Sequence, residues 1–218
     1  MRPIQVSNVL DFKDGNGLWV RSYNPSTNIQ HTTRAGSLWS GINMRCKVGG
    51  SCQARRPTYV GTTNGFKDFQ EFAEWCQHQY GYVNKESNGK FWQLDKDLKI
   101  QGNKVYSPET CILVPNRINS LLTSCDSSRG STPLGVCWHK GNMKFNSKCR
   151  DKINGRRDLG CFDSELEAHQ AWQRYKIDLI RRIIIEDAEI RNHLELVPIL
   201  LAQAQRIEDD LLNNRETK

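Results

Sequence analysis

The sequence predicts an α+β protein: an N-terminal helical segment leading to a ββα core, then a three-stranded antiparallel sheet packed on a long helix, with a C-terminal helix. Three observations carry this expectation. Apolar residues recur at helical spacing near 38–46, 66–76 and 168–179. Short strand-like runs broken by Gly and Asn turns gather at 91–114 and 134–162. Between them, residues 123–132 hold Ser124, Asp126, Ser127, Ser128, Gly130 and Ser131 and almost nothing apolar, the composition of a linker. The 218 residues suit one or two compact domains.

From the N-terminus, residues 1–36 read as an arm of short strands or irregular chain, rich in Asn, Gly and Ser with turn signals at Asp14-Gly15-Asn16-Gly17 and Asn24-Pro25-Ser26. Leu38, Ile42 and Cys46 then mark a helix that Gly49-Gly50 stops, and Phe66, Phe69, Phe72, Ala73 and Cys76 mark another packed on it. Phe91 to Asp97 reads as a strand, Gln101-Gly102-Asn103 as a turn and Cys111 to Val114 as a second strand. Pro115 opens a helix carrying Ile118, Leu121 and Leu122, which closes a ββα unit within a domain at 37–124. Beyond the linker, residues 134–140, 143–150 and 157–162 read as three antiparallel strands. Ser164-Glu165-Leu166-Glu167 fits a capping box, with Ala168, Ala171, Trp172, Tyr175 and Leu179 on one helix face, completing a domain at 131–192. In the tail, 193–218, Leu201, Ala204, Ile207 and Leu211 are spaced to pack back on the domain, or to pair with a second copy or a host protein.

Charge is distributed unevenly. Residues 131–162 hold 7 basic and 2 acidic side chains, whereas residues 163–218 hold 8 and 12. A basic block before an acidic helical tail is the footprint of a polyanion-binding surface, and also of a solvated lysine-rich face. No apolar run approaches the ~20 residues of a membrane span, and no secretory leader is seen at Met1-Arg2-Pro3-Ile4-Gln5-Val6, so a cytoplasmic chain with reduced thiols is expected. Cys46, Cys52, Cys76 and Cys111 lack the tight spacing of structural zinc ligands, and Cys137, Cys149 and Cys161, one per strand, read as small core residues.

The stretch Leu94-Asp95-Lys96-Asp97, Asn103 to Cys111 (NKVYSPETC), Val114-Pro115 and Asn119 resembles the core of bacteriophage HNH (His-Me finger) homing-endonuclease-like proteins, and Leu38 to Cys46 with Pro57-Thr58-Tyr59 fits that family's leading helix. Residues 134–185 resemble the APETALA-type DNA-binding domain that often follows such a core, through Gly135-Val136, Lys144-Phe145, Leu159 to Asp163, Glu167-Ala168, Ala171 and Tyr175. The second resemblance implies double-stranded DNA as partner, met in the major groove by Trp138, Lys140, Lys144, Asn146, Lys148, Arg150 and Arg156. Independently, period-2 alternation puts Lys144, Asn146, Lys148 and Arg150 on one face of one strand.

The first resemblance implies cleavage or nicking of DNA with Mg²⁺ (or Mn²⁺), in the cytoplasm of an infected bacterium. Registering the family pattern on this chain gives Asp95 and Asn119 as metal ligands and puts Lys96 where the general-base histidine belongs, so that Asp95, Lys96 and Asn119 are the candidate catalytic residues. A lysine at its ordinary pKa of ~10.4 is protonated at pH 7 and accepts a proton only if burial or neighbouring cations lower that value; as a cation it can instead steady the scissile phosphate. None of His78, His139, His169 and His193 is near Asp95 in sequence. The alternative is a DNA-binding or host-interaction protein that has lost catalysis. Where relatives carry a paired cysteine motif this chain has Thr62-Thr63-Asn64-Gly65, so structural zinc is not expected.

Overall fold

A computed structural model describes residues 13–14, 17–18, 21–24, 29–122, 132–151 and 155–217. The chain is of mixed α and β structure and divides into two compact units, residues 1–116 and 117–218. Most of the 123–132 linker, and Cys125 with it, lies outside the described residues, as does much of the 1–36 arm.

In the first unit, β1 (Lys13–Asp14) pairs antiparallel with β2 (Gly17–Leu18), and β3 (Arg21–Asn24) with β4 (Ile29–Thr32). Thr33 caps α1 (Arg34–Cys46), its hydroxyl accepting the Gly36 N–H at 3.0 Å and so satisfying one of the orphan donors of the first turn. After α2 (Ser51–Arg55) and β5 (Thr63–Asn64), Asp68 caps α3 (Phe69–His78) by accepting the Glu71 N–H at 3.0 Å. The apolar stripes of α1 and α3 meet as expected: Ile42, Phe72, Ala73 and Cys76 are buried in one core with Ala35, Tyr82, Leu94, Tyr106 and Leu113. Phe66 precedes α3 rather than joining it, yet reaches the same core and meets Phe72 edge-on, ring centroids 5.0 Å apart.

Strand β6 (Gln93–Asp95) pairs antiparallel with β8 (Ile112–Val114), Asp95 opposite Ile112. Between them β7 (Val105–Tyr106) leaves to pair in parallel with β5. Helix α4 (Asn116–Leu122) follows Pro115 directly, and from Arg117 onward it belongs to the second unit. The hairpin and the helix after it therefore fall in different compact units.

The second unit is built on a three-stranded antiparallel sheet of order β11-β10-β9, from β9 (Val136–His139), β10 (Lys144–Asp151) and β11 (Gly155–Phe162). Helix α5 (Glu165–Glu186) covers one face. Val136, Ser147, Cys149 and Asp151 are buried beneath it with Trp172, and Gly135 lets Trp172 approach, since a Cβ built at Gly135 would stand 2.1 Å from the Trp172 Cδ1. Ser164 caps α5, its hydroxyl accepting the Glu167 N–H at 3.1 Å. Replacing Ser164 by Ala is expected to cost about 1 kcal/mol, measured as a lower unfolding midpoint in denaturant at unchanged slope.

Asp187 ends α5 and caps α6 (Ala188–Arg191), and its other carboxylate oxygen holds Arg117 of α4 at 2.7 Å. Helix α7 (Leu196–Leu212) buries Leu196, Leu200, Ala204 and Ile207 and packs back along α5. Pro198 sits in its first turn, where the missing N–H has no helical acceptor to lose. The residues after α7 return to α5, where Gln173 donates to the Arg215 carbonyl at 2.9 Å and the Thr217 N–H donates to His169 Nε2 at 3.0 Å. A backbone N–H can only donate, so His169 keeps its proton on Nδ1, 2.9 Å from the Leu134 carbonyl. Among the described residues no helix is long and apolar enough to cross a membrane.

Candidate nucleic-acid interface

The register of the sheet decides which strand residues share a face. Asn146 lies opposite Cys137 on one side and Cys161 on the other, Lys144 opposite His139, and Arg150 opposite Arg156. Cross-strand partners point the same way, so Lys144, Asn146, Lys148, Arg150 and Arg156 share the face turned away from α5. A bulge between Ser147 and Lys148 shifts the pairing by one residue on β11, so that Lys148 meets Asp158 and Arg150 meets Arg156. That shift, invisible to simple alternation, is what aligns the two arginines.

On this open face Lys144 is bonded to Asp163 at 3.1 Å and Lys148 lies 4.0 Å from Asp158. Arg150 and Arg156 are exposed, and among the described residues no acidic side chain is within ion-pair distance of either. Asn146 is buried between its cross-strand neighbours, its Oδ1 accepting the Cys161 thiol at 2.9 Å. Lys140 is exposed in the turn after β9. Trp138 lies on the other face, packed edge-on against Phe145 with ring centroids 4.8 Å apart. Of the three strand cysteines, only Cys149 is a core residue; Cys137 and Cys161 are exposed. The alternation that buries Cys149 under α5 sends the other two outward, so one cysteine per strand did not mean one thiol per strand in the core.

The Asp95 corner lies in the first unit. Strand β6 ends at Asp95, whose Oδ1 accepts the N–H groups of Asp97 at 2.9 Å and Leu98 at 2.8 Å. This Asx-type turn ends the strand and keeps the Asp97 carboxylate close to Asp95. Burial first, then the neighbouring Asp97 charge, push the Asp95 carboxyl up to about 6. Lys96 is buried, with its ammonium donating to the Asn103 carbonyl at 2.8 Å and to Asp97 at 3.1 Å. Asn103 returns the bond, its amide donating to the Lys96 carbonyl at 2.7 Å. Lys96 thus clamps the loop from 97 to 103. Below the corner, burial pushes the Cys111 thiol up to about 12.

A hard divalent ion takes several oxygen ligands. Within this unit the corner offers Asp95, with one oxygen holding the turn, and Asp97, with one oxygen on Lys96. Asn119 lies on α4 in the second unit, and among the described residues no three His, Cys, Asp or Glu side chains converge as metal ligands. Mg²⁺ usually takes one or two carboxylates and completes its shell with water, so Asp95 and Asp97 are the residues of this unit that would hold it.

His139, Cys137, Cys161 and Asp158 belong to the open face, where sequence reasoning, which took the two cysteines for core residues, did not place them. The Gly141-Asn142 turn and the strand lengths held the signal for the first two, whereas the bulge hid the partners on β11. No family model, no curated protein and no solved structure matches this chain.

Proposed function

We propose that the chain is a DNA-binding protein whose second unit meets the phosphate backbone and base edges through the open face of its sheet. The observation that carries this reading is the juxtaposition of Arg150 and Arg156. Like charges directly opposite on neighbouring strands destabilise a sheet, and neither guanidinium has an acidic partner among the described residues to relieve it. A phosphate supplies the missing anion, and Arg geometry suits it. Lys148 and Lys144, on the same face of β10, add further cations of the kind that meet phosphate. The likeness of residues 134–185 to the APETALA-type domain supports the same surface.

Lys144→Ala and Arg150→Ala are each expected to weaken duplex-DNA binding, by roughly 1–3 kcal/mol if a base is read and by less if only phosphate is touched. Gel-shift titration against a fixed duplex checks this. Unchanged affinity in both variants would move the DNA surface elsewhere.

A second reading, phosphodiester hydrolysis in the manner of the HNH-like proteins that residues 37–124 resemble, is favoured by one specific observation: the Asp95 carboxyl, pushed up to about 6, titrates where a proton acceptor works at neutral pH. Lys96, in the place of the expected histidine, is occupied as a donor to Asn103 and Asp97. If the chain cuts, Asp95→Asn abolishes Mg²⁺- or Mn²⁺-supported nicking of supercoiled plasmid while DNA affinity stays unchanged. Identical plasmid profiles for the two proteins would leave the binding module without catalysis.

A further inference from the structure

We propose that Cys137 and Cys161 form a thiol-modification site on the open face, reactive toward small anionic disulfides of the glutathione type, and that the resulting mixed disulfide closes this face to DNA; the second half rests on the DNA reading above. Among the described cysteines these two are exposed, whereas Cys76, Cys111 and Cys149 are buried and Cys46 and Cys52 are half-buried. Both stand directly opposite Asn146, one on each side of the central strand. Two strand spacings separate them by about 9–10 Å, beyond the ~7 Å limit between Cα atoms that a disulfide tolerates. Neither thiol can therefore be consumed by the other, and each is left to react with a molecule from outside.

The surroundings select the charge of that molecule. Lys144, Lys148, Arg150 and Arg156 occupy the same face as the two sulfurs, and a cationic, open setting raises the local concentration of an anionic reagent. Cys161 is also held in place: its sulfur donates to Asn146 Oδ1 at 2.9 Å and accepts the Asn142 amide at 3.4 Å. In the exchange, the Cys161 sulfur attacks one sulfur of the oxidised disulfide, a bond forms between them, the external S–S bond breaks, and the departing thiolate takes the proton that Cys161 gave up. The disulfide is the oxidant, and one equivalent of free thiol is released. A glutathionyl group left on Cys161 adds net negative charge and bulk in the row that contains Asn146, where a DNA strand would have to lie.

The test uses the full chain carrying Cys125→Ser, which removes the thiol outside the described residues. It is treated with oxidised glutathione or with cystamine, a cationic disulfide, at low and high salt, and the adducts are mapped by peptide mass spectrometry. The expected result is labelling at Cys137 and Cys161 before any other cysteine, faster with oxidised glutathione than with cystamine at low salt, and a difference that shrinks in high salt. DNA affinity should fall at least fivefold on modification and return with dithiothreitol, and a variant also carrying Cys137→Ser and Cys161→Ser should keep its affinity under the same treatment. Labelling that starts at Cys46 or Cys52, or equal rates for the two reagents, would overturn the site. Reduced protein that binds no DNA would overturn the DNA reading, while the labelling pattern still decides the thiol site.

Discussion

Replacing Asp95 by Asn is expected to make the protein more stable at pH 7, by between about 1 and 3 kcal/mol. Asparagine keeps the carbonyl oxygen that accepts the Asp97 and Leu98 N–H groups, so the turn survives, but it removes a charge that burial and Asp97 disfavour. The pH profile identifies the cause. In the native chain the Asp95 carboxyl titrates at about 6, and in the unfolded chain near the ordinary ~3.9. Between those values the folded state binds the proton more tightly, so the stability of the native protein falls as pH rises from about 4 to about 6 and this group then contributes no further change. The variant lacks that fall. Denaturant midpoints of the two proteins should coincide below about pH 4 and separate above it. A variant that is less stable at pH 7 would show that the carboxylate is held by contacts favouring its charge. A group that costs stability in its working form is what a functional site retains, which is why the same substitution is informative in the plasmid assay.

Arg156→Glu is expected to move stability and binding in opposite directions. It replaces a repulsive cross-strand pair with Arg150 by an attractive one, a gain of a few tenths to about 1 kcal/mol, and it removes a cation and adds an anion on the open face, at a cost of roughly 1–3 kcal/mol in DNA affinity. Thermal melts and gel shifts on the same preparation read both. A purely structural role for Arg156 would lower stability without touching binding, and a solvated surface residue would change neither. Because Lys144 and Lys148 already have Asp163 and Asp158 near them, their substitution should cost less binding than that of either arginine at matched salt.

How far the sequence could be read depended on the range of the interaction. The helical stripes at Ile42, at Phe72 and Cys76, and along Ala168 and Trp172 were legible because burial on one face imposes a local period. So were the three strands of the second unit, each bounded by turn residues. What was not legible came from contacts that span the chain or break a period. The bulge after Ser147 re-registers β11 and sets Arg150 against Arg156. Cys137 and Cys161 look like core residues until the pairing with Asn146 turns them outward. Asp95 and Asp97 read as members of one strand, but the strand stops at Asp95, whose side chain captures the next backbone N–H groups; the Asp-x-Asp spacing held that signal. Lys96 was read as a catalytic stand-in, and its ammonium closes a loop through the Asn103 carbonyl, seven residues away. His169, buried at the centre of the second unit, fastens Leu134 and Thr217, which no local pattern announces.

The most direct test of the central claim, that the open face of the sheet holds DNA, is the salt dependence of duplex binding by the native chain and by an Arg150→Ala, Arg156→Ala double variant. Counterion release makes log K fall linearly with log salt, with a slope of about −0.9 for each phosphate neutralised. With Lys144, Lys148, Arg150 and Arg156 engaged, the expected slope is about −3 to −4, reduced in magnitude by about 2 in the double variant. Equal slopes for the two proteins, or a flat dependence in the native chain, would contradict the claim.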